Sequence, residues 1–282
     1  MTLGVDIADG VCRCRLSGGR FLSTGFEGGV RDADAAYNVT VPEGWGDAGA
    51  RDLRSYVDGR IADAGFPADP DAPALLTGVD QHHARAACLD GVTVVATAGL
   101  SNPAALPVET GERPIGTDAS LADGDGDTPS TDRDVDAPSI DRDVDASPVD
   151  GDGFSDDADR RPPPGTVNVL VGTDRDLSPG ALANLVAVVA EAKATTLLAA
   201  TGFPGTTSDA VVVGSDPSGK PATFSGTATP VGAATRVCVR DAILASLASR
   251  YGDVEESIPA AVTDAEYGVV TDRHANPSPI DR

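Results

Sequence analysis

Gly165–Asp209 reads GTVNVLVGTDRDLSPGALANLVAVVAEAKATTLLAATGFPGTTSD, and its pattern decides the fold class. A β-rich run, Thr166–Gly172, ends in the polar turn Thr173-Asp174-Arg175-Asp176, and an amphipathic stretch follows from Ser178 to about Ala200. A loop dense in Gly, Thr and Ser closes it, and a second β run starts at Asp209. Strand, helix, polar loop and strand make a layered α/β unit in which the loops, not the fold, carry chemistry.

The helix in this stretch holds one anomalous residue. Taking about 100° per residue from Leu182, the side chains of Leu185, Val186, Val189 and Leu197 fall within about 60° of it. Lys193 falls about 20° from Leu182, at the centre of that apolar stripe, whereas Glu191 falls about 180° away. An ammonium on a buried face is expensive unless it is paired or lines a site. The chain has only two lysines, Lys193 and Lys220, and otherwise uses Arg, which argues against Lys193 as a surface filler. The plainer alternative is a lysine whose stem lies on the core while its head reaches solvent.

Downstream, the β run extends over Asp209–Ser215, a hairpin over Pro217-Ser218-Gly219 leads to Thr223–Thr227, and a last helix covers about Ala233–Tyr251. Gly252 stops it. Upstream, four short strands are expected at Leu3–Ile7, Val11–Leu16, Arg20–Ser23 and Tyr37–Val41, joined at Asp9-Gly10 and Ser17-Gly18-Gly19 by tight turns. A helix is expected over Arg51–Ala64 and a short strand over Ala74–Thr77. Asp80–Leu89 reads as a helix capped by Asp80, followed by a strand at Val92–Ala98 and the turn Gly99-Leu100-Ser101-Asn102-Pro103.

Between these halves the composition breaks. Residues 107–164 lack apolar periodicity and carry the tandem repeat PSTDRDVDA, PSIDRDVDA at 129–146. Such a segment cannot bury enough surface to offset ordering entropy, so it is expected to be a disordered acidic insertion. Asp123, Asp125 and Asp127 have the spacing that opens a calcium loop, but Thr128 stands where Gly is needed and Asp134 where Glu is usual. The fold class is therefore α/β (or α+β). It is a single mixed-sheet domain with helices packed on it, built from 1–106 plus 165–251, with a loosely attached tail at 252–282.

Forty-four acidic residues against 21 basic ones leave a formal charge of −23, which argues against nucleic acid or an anionic membrane as partner, since both need basic patches. With the near-absence of Lys, this pattern fits a protein kept soluble in concentrated salt; an acidic surface for a cationic partner is the rival reading. Hydrophobic residues at 40% allow a real core, and aromatics at 4% mean that Val, Leu, Ala and Ile must build it. Cys12, Cys14, Cys88 and Cys238 show no zinc spacing, and the run VCRCRL puts Cys12 and Cys14 on one strand face as small buried hydrophobes. MTLGVDIADG has no leader pattern and no run of 18 apolar residues exists, so a cytoplasmic protein is expected. No G-x-S-x-G, H-E-x-x-H or P-loop is present. His82 and His83, read as adjacent on a short helix, face about 100° apart and do not share a metal easily, though either has the chemistry of a lone acid or base.

The polar turns say more. Ser23–Gly29, Gly99–Asn102, Gly165–Asn168 and Gly205–Asp209 each combine Gly with hydroxyl, amide or carboxylate side chains at a strand end. Together they suggest one shared polar pocket.

Taken in order, Ala98-Gly99-Leu100-Ser101-Asn102, Gly165-Thr166-Val167-Asn168, Glu191-Ala192-Lys193 and Gly205–Asp209 resemble the adenosylcobinamide amidohydrolase family of corrinoid salvage. Leu22–Gly29 and Asn38 resemble that family's first segment. Ala190 stands where the family has Thr, and Gly205-Thr206-Thr207-Ser208-Asp209 lacks its second Gly. The resemblance implies hydrolysis of the amide that joins aminopropanol to the corrin side chain, releasing adenosylcobyric acid. Cobalt would arrive inside the corrinoid substrate, and no other cofactor or protein-bound metal is expected.

On this basis Lys193, Asp209, Thr206 and Glu191 are the catalytic candidates, with Glu191 contributing only if the helix has a second buried face. Lys193 lies near the scissile amide with Asp209 as its charge partner, or Asp209 activates water. Ser23, Ser101 and Thr206 are alternative nucleophiles. Ser23, Gly28, Gly29, Asn38, Ser101, Asn102, Asn168 and Gly205 are the substrate-binding candidates, with Asn102, Asn168 and the Gly205-Thr206 backbone as oxyanion donors. A corrinoid binder without hydrolytic activity and a phosphate-handling enzyme built on the Gly/Thr loops remain the rival classes.

Overall fold

Alternating valines build the centre of the protein. The computed structural model describes residues 3–42, 52–67, 69–108, 165–252 and 257–280, and of these 3–107 and 165–280 belong to one compact unit. Nearly all of the expected acidic insertion, 109–164 with its repeat and calcium-like run, lies outside the described residues.

The elements are β1 (Gly4–Ala8), β2 (Val11–Ser23), β3 (Gly29–Thr40), α1 (Leu53–Asp63), β4 (Ala74–Thr77), β5 (Arg85–Leu89), β6 (Val92–Ala98) and β7 (Pro103–Ala105). After the insertion come β8 (Val167–Leu177), α2 (Pro179–Thr201), β9 (Gly205–Thr206), β10 (Ala210–Ala222), α3 (Pro230–Tyr251) and β11 (Val269–Val270). The main sheet runs β4-β3-β2-β10-β8-β6-β5, with β1 also paired to β2. β8 and β10 are parallel and joined through α2, while β6 and β2 flank them antiparallel. The sheet is thus mixed, as the sequence implied.

The three central strands are buried on both faces, and the period of two sorts their side chains between two cores. Val94 and Ala96 of β6, Val169 and Val171 of β8, and Val211 and Val213 of β10 face α2 and α3, meeting Leu182, Leu185, Val189, Val239 and Ile243. Val95, Leu170 and Val212 face the other way, toward Leu16, Phe21, Tyr37 and the α1 residues Val57 and Ile61. Each fully buried Leu or Val contributes about 1.5–3 kcal/mol relative to exposure. Cys12 and Cys14 are free and buried in this second core, in the role their alternation predicts.

α2 has clear end signals. Ser178 caps it by accepting from Ala181 N at 3.2 Å, Pro179 opens it, and Gly202 ends it in the left-handed region at φ 80°. By length and composition α2 is apolar enough to cross a bilayer, but here its apolar stripe packs on β8, β10 and α3.

Several local expectations fail for one common reason, strand pairing. Ser17-Gly18-Gly19 does not turn the chain; β2 passes through it as a bulge, with Asp34 accepting from Gly18 N at 2.7 Å. Thr173–Asp176 likewise stays in β8, since β10 pairs with it as far as Leu177. Pro217-Ser218-Gly219 is a bulge within β10 rather than a hairpin, held by Asp216 accepting from Ser218 N at 2.8 Å. Only Gln81–His83 of the expected helix at Asp80–Leu89 is helical, as a single 3₁₀ turn capped by Asp80; Arg85–Leu89 pairs with β6 instead. The tail also docks in part. Val269–Val270 pair with Ala104–Ala105 of β7, which pairs in turn with β9.

Candidate active site

The N-terminal ends of β8 and β10 and the C-terminal end of β6 lie on the same edge of the sheet, since Ala98 pairs with Val167 and Asn168 with Ala210. α2 crosses above that edge late in its length. Lys193 therefore leaves the apolar stripe of α2 close to the start of β10, and its ammonium forms an ion pair with Asp209. The two side chains are only 12% and 10% exposed, so this is a buried pair rather than a surface one.

Asp209 carries more than the lysine. Its carboxylate accepts from Thr206 N at 3.0 Å, from Val167 N at 2.9 Å and from the Thr206 hydroxyl. Four donors match the roughly four lone-pair positions of a carboxylate. The tight loop after β9 makes this possible because Gly205 leaves room. A β-carbon at 205 would sit 2.8 Å from Lys193 Nζ and against the Asp209 carboxylate. Gly205→Ala is therefore expected to push the pair apart and lower kcat by about tenfold or more, from a misplacement on the order of 1 Å. A wild-type kcat in that variant would show that the spacing is not critical.

A second polar cluster adjoins the first. Thr166 Oγ1 and Ser208 Oγ are 2.6 Å apart, Asn102 Nδ2 donates to Thr207 Oγ1 at 2.7 Å, and Thr207 N donates to Asn102 O at 3.2 Å. Gly165 packs against Ser101 and Asn102, where an added β-carbon would lie 2.6 Å from Asn102 Oδ1. Ser101 Oγ and Asn102 Oδ1 are buried without a hydrogen-bond partner among the described residues. Thr207 and Ser208 are exposed, so the cluster reaches solvent at that turn.

The 99–102 turn is clamped from α3. Tyr251 Oη accepts from Leu100 N at 2.8 Å, and Ser246 Oγ accepts from Ala98 N at 2.9 Å. Sequence reasoning passed over both residues. A serine on the buried face of an apolar helix was the available signal for Ser246, since a buried hydroxyl needs a partner.

The other candidates are placed as follows. Ser23 is buried, with its hydroxyl accepting from Gly25 N at 3.1 Å, and the next residue fastens the loop to β10 through Thr24 Oγ1, which accepts from Val211 N at 2.9 Å. Gly28 lies in that same loop against the Ser23 carbonyl, and Gly29 starts β3 at φ 105°. This loop thus borders the edge where Asp209 sits. Asn38 and Asn168 do not join the ion pair. They are fully buried on the side of the second core, where Asn168 Nδ2 donates to Asn38 Oδ1 at 2.8 Å and Asn38 Nδ2 donates to Thr97 Oγ1 at 3.0 Å. The period of two turns Asn168 away from its neighbour Val167, so the two side chains lie on opposite faces of the sheet.

Glu191 lies on the solvent face that its helical spacing predicts. α2 has no second buried face there; Glu191 is 64% exposed and pairs across to Arg236 of α3 at 3.4 Å. The histidines lie on the short 3₁₀ turn, where burial first, then the neighbouring His82 ring and the Arg250 guanidinium, push the His83 imidazole below its ordinary value. Two cavities, of about 300 and 530 Å³, are lined by α2, α3 and the loop between β10 and α3, and neither is lined by Lys193 or Asp209. Among the described residues no three His, Cys, Asp or Glu gather to hold a metal.

Comparison with known proteins bears on the same residues. The family model described as adenosylcobinamide amidohydrolase matches residues 10–255. A Halobacterium salinarum protein named adenosylcobinamide amidohydrolase is 48% identical over 267 residues, which covers 95% of each chain.

Proposed function

Because the chain belongs to the adenosylcobinamide amidohydrolase family, we propose that it cleaves the aminopropanol amide of adenosylcobinamide, giving adenosylcobyric acid for return to cobalamin synthesis. The observation that carries the chemistry is the Lys193–Asp209–Thr206 contact. Amide hydrolysis needs a nucleophile, a positive pole for the oxyanion and a proton for the leaving amine.

Asp209 narrows the choice of nucleophile. Its acceptor positions are taken by an ammonium, two backbone N–H groups and one hydroxyl. Of these donors the ammonium and the hydroxyl both become nucleophiles on losing a proton. Attack by the amine would only exchange one amide for another, whereas the Thr206 hydroxyl gives an ester that water cleaves, and no position is left for a first water. Thr206 Oγ1 is therefore the attacking atom in this reading, rather than Ser23, Ser101 or a water on Asp209. Its proton passes to Asp209 as the C–O bond forms, and then to the leaving amine as the C–N bond breaks. Water next occupies the acceptor position that Thr206 vacated, attacks the resulting ester, and restores the hydroxyl.

Lys193 keeps two N–H donors beyond its contact with Asp209 and supplies the cationic pole at the scissile carbonyl. A single such donor is worth about 2.7–4 kcal/mol in the transition state. Ser101 and Asn102 hold the amide end of the substrate, with the Ser23–Gly29 loop on the neighbouring strand. Glu191 has its place in the α2–α3 contact and none in the chemistry. The reading calls for no metal on the protein, since cobalt is carried by the corrinoid. The acid-rich, Lys-poor composition supports a working environment of concentrated cytoplasmic salt, and the relative from Halobacterium salinarum agrees with it.

Mass spectrometry of adenosylcobinamide incubated with the protein tests the function. Adenosylcobyric acid and free aminopropanol are expected. Unchanged substrate with measurable binding would instead identify a corrinoid binder. A corrinoid adduct on the peptide containing Thr206, trapped by acid quench and absent in Thr206→Ala, is the expected sign of the nucleophile.

A further inference from the structure

The turn at Asp80–His83 holds a group that the hydrolysis does not use. Asp80 accepts from His82 N at 2.8 Å, and the same carboxylate oxygen meets His82 Nδ1 at 2.8 Å. Nδ1 is thereby committed, and Nε2 is the free nitrogen of a ring that is 66% exposed. A carboxylate on one ring nitrogen is the device by which proteins fix the tautomer and aim of an imidazole that ligates a metal through the other. The ring is also braced. The His83 ring centroid lies 3.5 Å away, His83 Nδ1 is tied to Ser249 Oγ at 3.1 Å, and Arg85 donates to His82 O at 2.8 Å.

This turn belongs to the edge that carries the catalytic cluster. Ser246 Oγ donates to His83 O at 2.9 Å and accepts from Ala98 N at 2.9 Å. Ala98 pairs with Val167, whose N–H is one of the four donors to Asp209. Val79, just before the turn, packs on Gly99 of the Ser101–Asn102 loop.

A lone imidazole cannot make a chelate, and none is needed here. The corrin ring fills the equatorial positions of its cobalt and the adenosyl carbon fills one axial position, so a single axial place remains. Cobinamide lacks the nucleotide base that occupies that place in a complete cobamide. We propose that His82 Nε2 is the axial ligand of the bound corrinoid's cobalt, on the face opposite the adenosyl group. The step is a ligand exchange. The cobalt–water bond breaks, the cobalt–nitrogen bond forms, water leaves, and the oxidation state is unchanged. The contact rests on the corrinoid reading above and sharpens it, because a complete cobamide would have to give up its own base before His82 reached the metal. His82 thus selects the base-free substrate while fixing the corrin over the catalytic edge.

Electron paramagnetic resonance of the full chain with cob(II)inamide tests the contact. The unpaired electron of cobalt(II) lies along the axial direction, so one nitrogen ligand splits each cobalt line into a triplet. The triplet is expected in the wild type and in His83→Ala and should vanish in His82→Ala, whose exposed position spares the fold. Asp80→Asn is expected to weaken cobinamide binding about tenfold, as loss of a carboxylate behind a ligating histidine does. A wild-type complex without the triplet, or a triplet that survives His82→Ala, overturns the assignment. Hydrolysis without the triplet overturns the ligation alone, the triplet without hydrolysis overturns the catalytic reading alone, and failure of cobinamide to bind overturns both.

Discussion

Lys193→Ala is expected to reduce turnover of adenosylcobinamide by about 10²–10⁴-fold while leaving the fold intact. The loss follows from removing the cation that pairs with Asp209 beside Thr206, and with it the positive pole at the carbonyl. The fold survives because Asp209 keeps its other three donors: the N–H groups of Val167 and Thr206 and the Thr206 hydroxyl. The remaining cost is the packed stem of the lysine and a carboxylate without its counter-ion, about 3–5 kcal/mol at the upper end, softened by those three donors. Single-turnover product analysis and a thermal melt read the two effects separately. Wild-type turnover would remove Lys193 from the mechanism, and a collapsed melt would mean that the ammonium is structural.

Asp209→Ala reverses the balance. It leaves Lys193 as an uncompensated charge at 12% exposure and strips two backbone N–H groups of their acceptor. Breaking a buried pair from one side costs about 3–5 kcal/mol, and each orphaned donor about 1–3 kcal/mol more where water does not replace the carboxylate. For a domain of ordinary stability, about 5–15 kcal/mol, this is expected to unfold a large fraction of the molecules at moderate temperature. Denaturant titration at fixed high salt measures it, and salt will not mimic the loss because a buried pair is little screened. The double variant Lys193→Ala with Asp209→Ala should recover part of the stability, since the stranded ammonium is then gone. Equal denaturation midpoints for Asp209→Ala and the wild type would show that the pair contributes nothing to folding.

The two variants also separate what was legible from what was not. The position of Lys193 on an apolar stripe was readable from spacing alone, as was the solvent face of Glu191. Its retention as a catalytic candidate came from the family motif, and the structure returns it to the surface, paired with Arg236. The four polar turns were rightly grouped at strand ends, and Ser23, Ser101, Asn102 and Gly205 lie along one edge. Asn38 and Asn168 were not separable from them by composition. An asparagine at a strand end looks the same in sequence whether it faces a pocket or a second core.

The failed turns teach a related lesson. Ser17-Gly18-Gly19 and Pro217-Ser218-Gly219 have every local mark of a hairpin, yet both are bulges in strands that continue. Each flanking strand has a partner on either side of the irregularity, and the ladder gained exceeds what the local turn offers. Helix formation at Asp80–Leu89 loses to the β5–β6 ladder in the same way.

The sequence by itself determined the central valine strands, the two long helices, the acid-rich composition and the place of Lys193 on an apolar stripe. Each of these depends on the period or propensity of contiguous residues, which local physics sets. Only the tertiary structure decided that Asp209 meets Lys193, that Thr206 is the hydroxyl bonded to that carboxylate, and that Tyr251 and Ser246 hold the opposing loop. Those contacts join residues brought together by strand register and by the crossing of α2 over the sheet edge. No periodicity in the chain encodes where such a crossing falls, because it is the sum of all the packing on both cores.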